Sequence, residues 1–83
     1  QITVFPNPSN NEITIEYLAA EAENIQIDFL DATGRKVISE NRVLMQGVNL
    51  LQYEIVHLPN ATYFIQFTNT KTGNINGVQV LKY

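Results

Sequence analysis

The segment Glu12-Ile13-Thr14-Ile15-Glu16-Tyr17 alternates without a break. Ile13, Ile15 and Tyr17 share one side of an extended chain; Glu12, Thr14 and Glu16 share the other. A side-chain period of two marks a strand with one buried face and one wet face. The pattern returns at 24–30, where Ile25, Ile27 and Phe29 face in and Gln26 and Asp28 face water. It returns again at 48–56, with Leu51, Tyr53 and Ile55 on one face. At 62–68 it places Tyr63, Ile65 and Phe67 together, and Phe64 out of phase, on a second buried face or exposed as a contact.

Working outward, turn chemistry separates further strands. Ile2 to Phe5 is stopped by Pro6-Asn7-Pro8, since two prolines two apart cannot sit in a ladder. Asp31-Ala32-Thr33-Gly34 is a turn: the Asp carboxylate bonds backbone two residues on, and Gly34 takes positive φ without a Cβ clash. Arg35 to about Leu44 is a less regular strand anchored by Val37. Gln46-Gly47 and His57-Leu58-Pro59-Asn60 are breaks, and 69–74 is a polar loop. Ile75 to Tyr83 is the last strand, with a bulge or bend at Asn76-Gly77. Leu18 to Glu23 has helical propensity but is too short for a stable helix, so a loop or single turn is expected.

Seven short strands and no convincing helix predict an all-β fold, an immunoglobulin-like antiparallel β-sandwich. The chain has 83 residues, 45% hydrophobic and 16% charged. That is one domain, with enough apolar content for a core and too little charge for a disordered chain. Ile, Val and Thr number 23, and ten Asn supply turns. The net charge is −3, with no basic stripe for nucleic acid. The absence of cysteine excludes disulfides and thiolate chemistry. The start at Gln1, with neither Met nor a signal-peptide pattern, suggests a domain of a longer protein.

Candidates for chemistry are few. His57 is the only histidine and reads as a solvated corner residue. Asn24, Asp28 and Asp31 could offer oxygens to Ca²⁺, but a polar strand edge and an Asx turn explain them at lower cost. The glutamates at 12, 16, 21, 23, 40 and 54 read as solubilising charge rather than a catalytic pair in a cleft. The glycines are isolated, so there is no phosphate loop. Asn60-Ala61-Thr62 fits a glycosylation sequon of a kind that arises by chance. No cofactor and no small-molecule substrate are expected.

Four blocks in order resemble the C-terminal sorting domains of the type IX secretion system. Val4-Phe5-Pro6-Asn7-Pro8-Ser9 before Ile13-Thr14-Ile15 is similar to their opening. Ile27 to Val37, with Asp31, Gly34 and Arg35, looks like the central block. Leu58-Pro59-Asn60-Ala61-Thr62-Tyr63 is similar to a Leu-Pro-x-Gly-x-Tyr block. Gly73 with Val78-Gln79-Val80-Leu81-Lys82 resembles the closing loop and strand. Ala61 stands where the family usually has Gly, so that corner manages without positive φ or is built differently. A single Lys82 stands where many members have two.

The resemblance implies a β-sandwich without catalysis, placed after a cargo that precedes Gln1. It implies Pro6, Asn7, Pro8, Asp31, Gly34, Arg35, Leu58, Pro59 and Tyr63 as shapers of the fold. Val78, Val80, Leu81, Lys82 and Tyr83 would carry most of a signal read by the outer-membrane translocon. A sortase-like surface peptidase would then commonly remove the domain. The protein would pass through the periplasm to the cell surface or medium. A competing reading is an immunoglobulin-like accessory module that binds carbohydrate or protein at the surface.

Overall fold

A computed structural model describes residues 1–8 and 10–83. Its strands are β1 (Ile2–Phe5), β2 (Glu12–Ala19), β3 (Glu23–Leu30), β4 (Lys36–Leu44), β5 (Gly47–Glu54), β6 (Ala61–Asn69) and β7 (Ile75–Lys82). They form a three-stranded sheet, β1-β2-β5, and a four-stranded sheet, β4-β3-β6-β7. Every pairing is antiparallel. The chain thus folds as an all-β immunoglobulin-like sandwich.

The alternating segments build the core as their period requires. Ile13, Ile15, Tyr17, Leu51 and Tyr53 face Ile25, Ile27, Phe29, Tyr63, Ile65, Phe67 and Val80, all buried. Two ring contacts cross between the sheets. Tyr17 and Phe67 have centroids 5.7 Å apart, and Phe29 and Tyr53 5.1 Å, both tilted. Such geometry adds to area burial because ring edges meet ring faces.

Several expectations change in detail. Leu18 and Ala19 extend β2, so the expected loop shrinks to a short corner before β3. Gly77 lies within one terminal strand, as expected, but the ladder with β6 runs through it without a shift, so there is no bulge. Tyr83 falls just beyond that strand. The bulge lies elsewhere: Phe29 pairs with Ile38 and Leu30 with Lys36, leaving Val37 as the extra residue. Val37 is only half-buried, and Leu44 is the buried anchor of β4.

Asp28 corrects the expectation that it faces water. It lies on the outer face of β3 yet is buried. Its Oδ1 accepts from Ser39 Oγ at 2.6 Å and Gln26 Nε2 at 3.1 Å, and Lys36 Nζ is 3.7 Å from Oδ2. Burial alone would raise its pKa. The Ser39 and Gln26 hydrogen bonds and the Lys36 charge outweigh that and hold it below the usual aspartate value. Among the described residues no buried side-chain polar atom lacks a hydrogen-bond partner.

Candidate functional site

Antiparallel pairing fixes which loops share an end of the sandwich. Leu30 pairs with Phe64, Ala61 with Lys82, Phe5 with Thr14, and Glu12 with Glu54. The β1–β2 loop, the β3–β4 turn, the β5–β6 corner and the end of β7 therefore gather at one pole. Pro6-Asn7-Pro8, Asp31-Gly34-Arg35, Leu58-Pro59-Tyr63 and Lys82-Tyr83, remote in sequence, become neighbours in that layer.

Each block is held by identifiable bonds. Asp31 Oδ1 accepts from Thr33 N at 2.9 Å, Thr33 Oγ1 at 2.6 Å and Arg35 N at 3.0 Å. Gly34, at φ 87°, donates to Asp31 O at 2.9 Å. This is the Asx-stabilised turn expected from sequence, and the left-handed position needs Gly. The Thr33 side chain and Arg35 backbone bonds hold the Asp31 carboxyl below its ordinary pKa. The Arg35 side chain, mostly exposed, places Nε 3.3 Å from Asp31 Oδ2.

Leu58 is buried beneath the β5–β6 corner, while Pro59 is exposed. Tyr63 Oη donates back to Pro59 O at 2.5 Å. A tyrosine at the start of a strand bonding upstream backbone is the tyrosine corner of immunoglobulin-like sandwiches. Burial raises the Tyr63 pKa first, and the Asp31 charge adds to it. Ala61 begins β6, and no non-glycine residue among those described has positive φ. The corner is therefore built without positive φ at Ala61.

Pro6-Asn7-Pro8 carries two cis peptide bonds, Phe5–Pro6 and Asn7–Pro8. Asn7 reaches across to the other sheet. Its Nδ2 donates to Gln79 O at 3.2 Å, and its Oδ1 accepts from Leu81 N at 3.1 Å. A residue at the beginning of the chain thus fastens the backbone of the last strand.

Strand parity divides the tail residues. Val80 and Lys82 turn inward and are buried, Val78 is half-buried, and Gln79, Leu81 and Tyr83 are exposed. Lys82, only 7% exposed, is not a solvated tail charge. Its Nζ donates to Asn60 Oδ1 at 3.1 Å. The stem of a lysine packs as an apolar rod while its head finds a polar partner. Phe64, whose facing was open, is 49% exposed on the outer face. It sits between Leu30 and Gln79 in the register, with Leu81 diagonal to it. Sequence reasoning gave neither Gln79 nor Asn60 the contact it makes. Counting two on from Val80 finds the outward side of Gln79, whereas nothing local points to Asn60.

The remaining polar residues are structural in their contacts. Glu40 faces inward from β4 and accepts from Tyr53 Oη at 2.5 Å and Arg42 Nη1 at 2.9 Å. The Tyr53 bond, then the Arg42 bond, lowers the Glu40 pKa, while burial and Glu40 raise that of Tyr53. A cleft of about 560 Å³ at the opposite pole is lined by residues including Ala20, Glu23, Asn24, Asn69 and Lys71. There Glu23 is engaged by Tyr17 Oη at 3.4 Å and Asn69 Nδ2 at 3.1 Å. Asn24, Asp28 and Asp31 do not form a cation cage, because each carboxylate is bonded to its own neighbours. Among the described residues no group of three His, Asp or Glu side chains could hold a metal ion.

Two comparisons with known proteins bear on this arrangement. A family model described as "Secretion system C-terminal sorting domain" matches residues 3–81. No curated protein matches the chain.

Proposed function

The chain belongs to the secretion system C-terminal sorting domain family, and on that premise we propose which part of it is read and by what. The domain is a C-terminal sorting signal for type IX secretion, and its protein is exported across the outer membrane. In our reading, residues 1–83 form one non-catalytic domain following a cargo that precedes Gln1. Val78 to Tyr83 are read by the translocon, with Leu81 and Tyr83 presented outward and Val80 and Lys82 seating the strand. Pro6, Asn7, Pro8, Asp31, Gly34, Arg35, Leu58, Pro59 and Tyr63 build the pole that presents it. The cargo passes through the periplasm and reaches the surface or medium, where a sortase-like peptidase removes the domain.

The observation that carries this reading is the exposed terminal edge strand, with Leu81 47% and Tyr83 57% exposed. An address label needs a firm fold and an accessible end, not a pocket. The test fuses a passenger ahead of Gln1 in a bacterium with a type IX system. Deleting Val78 to Tyr83 should strand the passenger in the periplasm. Because that deletion also removes buried Val80, the decisive variant is Leu81→Gln with Tyr83→Ala. Both side chains are exposed, and surface changes usually stay within about ±0.5 kcal/mol. Poor export of this stable variant supports the reading. Normal export of both it and the deletion would refute it.

A further inference from the structure

Asn7 does more than tie the two sheets together. In an antiparallel strand the N–H and C=O of one residue point the same way, and neighbouring residues point oppositely. The bonds from Asn7 to Gln79 O and Leu81 N therefore identify the odd-numbered residues of β7 as those whose backbone points away from β6. Among the described residues, Ile75, Gly77, Gln79 and Leu81 line an outer edge that no strand pairs with, although β1 approaches β7 from the other sheet. A neighbouring strand would bond C=O of residue 79 and N–H of residue 81 as one adjacent pair. The Asn7 side-chain amide supplies that donor and acceptor from a single group.

This edge is guarded differently from those of β4 and β1, while β5, the remaining edge, is likewise uncharged from Gly47 to Tyr53. β4 carries Lys36 and turns Glu40 and Arg42 inward, and β1 is only four residues long. Charge, inward-pointing charge and shortness are the usual protections against strand pairing. From Ile75 to Leu81 there is no charged residue, and Lys82 is turned inward. Beside the edge lie the exposed apolar side chains of Phe64, Ile75 and Leu81. Among the described residues, the side chain hydrogen-bonded along this edge is that of neutral Asn7, exposed to water and removable without breaking any strand pairing.

We propose that the outer edge of β7, from Gly77 to Leu81, docks a neutral extended strand of a partner protein, and that Asn7 is the plug which this strand displaces. Strand addition takes its affinity from main-chain bonds and its selectivity from alternate side chains. An uncharged edge flanked by Phe64 and Leu81 selects a strand with apolar residues on the matching face. The identity of the partner as part of the secretion machinery rests on the sorting reading; the docking edge itself does not.

The test again uses the passenger fusion. Gly77→Pro removes an outward N–H without touching the ladder with β6. Gly77 does not have positive φ, and a Cβ there would meet Ile65 O at an ordinary 3.6 Å. Gly77→Pro should lower the exported fraction at least tenfold, while Gly77→Ala, which keeps the N–H, exports normally. Gly77→Lys keeps every backbone group and adds an edge charge; it carries the same expected loss if the proline variant does not fold. In the purified domain, Asn7→Ala should speed amide exchange at Leu81 at least tenfold and leave Ile65 and Phe67 unchanged.

Normal export of a folded Gly77→Pro or Gly77→Lys variant overturns the docking edge, as does an unchanged Leu81 amide in Asn7→Ala. Self-association of Asn7→Ala through β7, with export of the edge variants intact, assigns the edge to a second copy and also overturns it. The sorting reading is judged separately by the tail deletion. If that strands the passenger while the edge variants export, only the present inference fails.

Discussion

Replacing Tyr53 by Phe should weaken the sandwich by an amount that shrinks in acid. Tyr53 belongs to the three-stranded sheet and Glu40 to the four-stranded one, so their 2.5 Å bond clasps the two sheets along the β4–β5 side. Tyr53→Phe keeps the ring on Phe29 and removes only the hydroxyl. A hydrogen bond to a charged group contributes about 1.5–3 kcal/mol. The Glu40 side chain is 39% exposed and keeps Arg42, so solvent screening reduces the expected loss to about 1–2 kcal/mol.

The pH dependence follows from the lowered Glu40 pKa. Its contribution is complete above the unfolded value, near the ordinary 4.5, and is lost as pH falls through the lower folded value. Urea melts read this directly. With a slope of about 1 kcal/mol per molar for a domain this small, the midpoint should fall by roughly 1–2 M at pH 7. Well below the folded value the difference should shrink to that of a neutral hydrogen bond, about 1 kcal/mol or less. A deficit of the same size at both pH values, or none at pH 7, would refute the clasp.

Two further outcomes are expected. Lys82→Ala should cost about 1–2 kcal/mol through lost stem packing, whereas Lys82→Met, which keeps the stem and removes a buried charge, should melt within about 1 kcal/mol of the parent or above it; equal losses for both would place the importance in the amine. Gly34→Val should destabilise by more than the ~1 kcal/mol of a propensity change, because φ 87° is costly for a β-branched residue; unaltered denaturant midpoints would contradict that.

The strands that alternate cleanly were legible because one face of each meets the opposite sheet. Ile13, Ile15, Ile27, Phe29, Tyr53, Tyr63, Ile65 and Phe67 are all buried as their period requires. β4 read poorly for two physical reasons: Val37 is a bulge, and the inward positions hold Glu40 and Arg42, where a period-two reading looks for apolar residues. Asp28 was misplaced because its burial depends on Ser39 and Lys36 of an adjoining strand. Of the pole, the turn at Asp31 and Gly34 was legible from local chemistry. The bonds of Asn7 were not, since their partners lie 72 and 74 residues away.

Those separations have a consequence for how the chain is made. Within residues 1–83 the strand that completes the four-stranded sheet is made after the six others, and the loop that fastens it precedes five of them. A polypeptide interrupted before Ile75 has β6 with a bare edge, no Val80 to cover the core, and an asparagine with nothing to hold. Non-local closure of this kind is reached late in folding. The finished shape therefore certifies that the chain is present from Asn7 through Leu81, and a machine that accepts only this shape inspects the domain for completeness without a dedicated proofreading step.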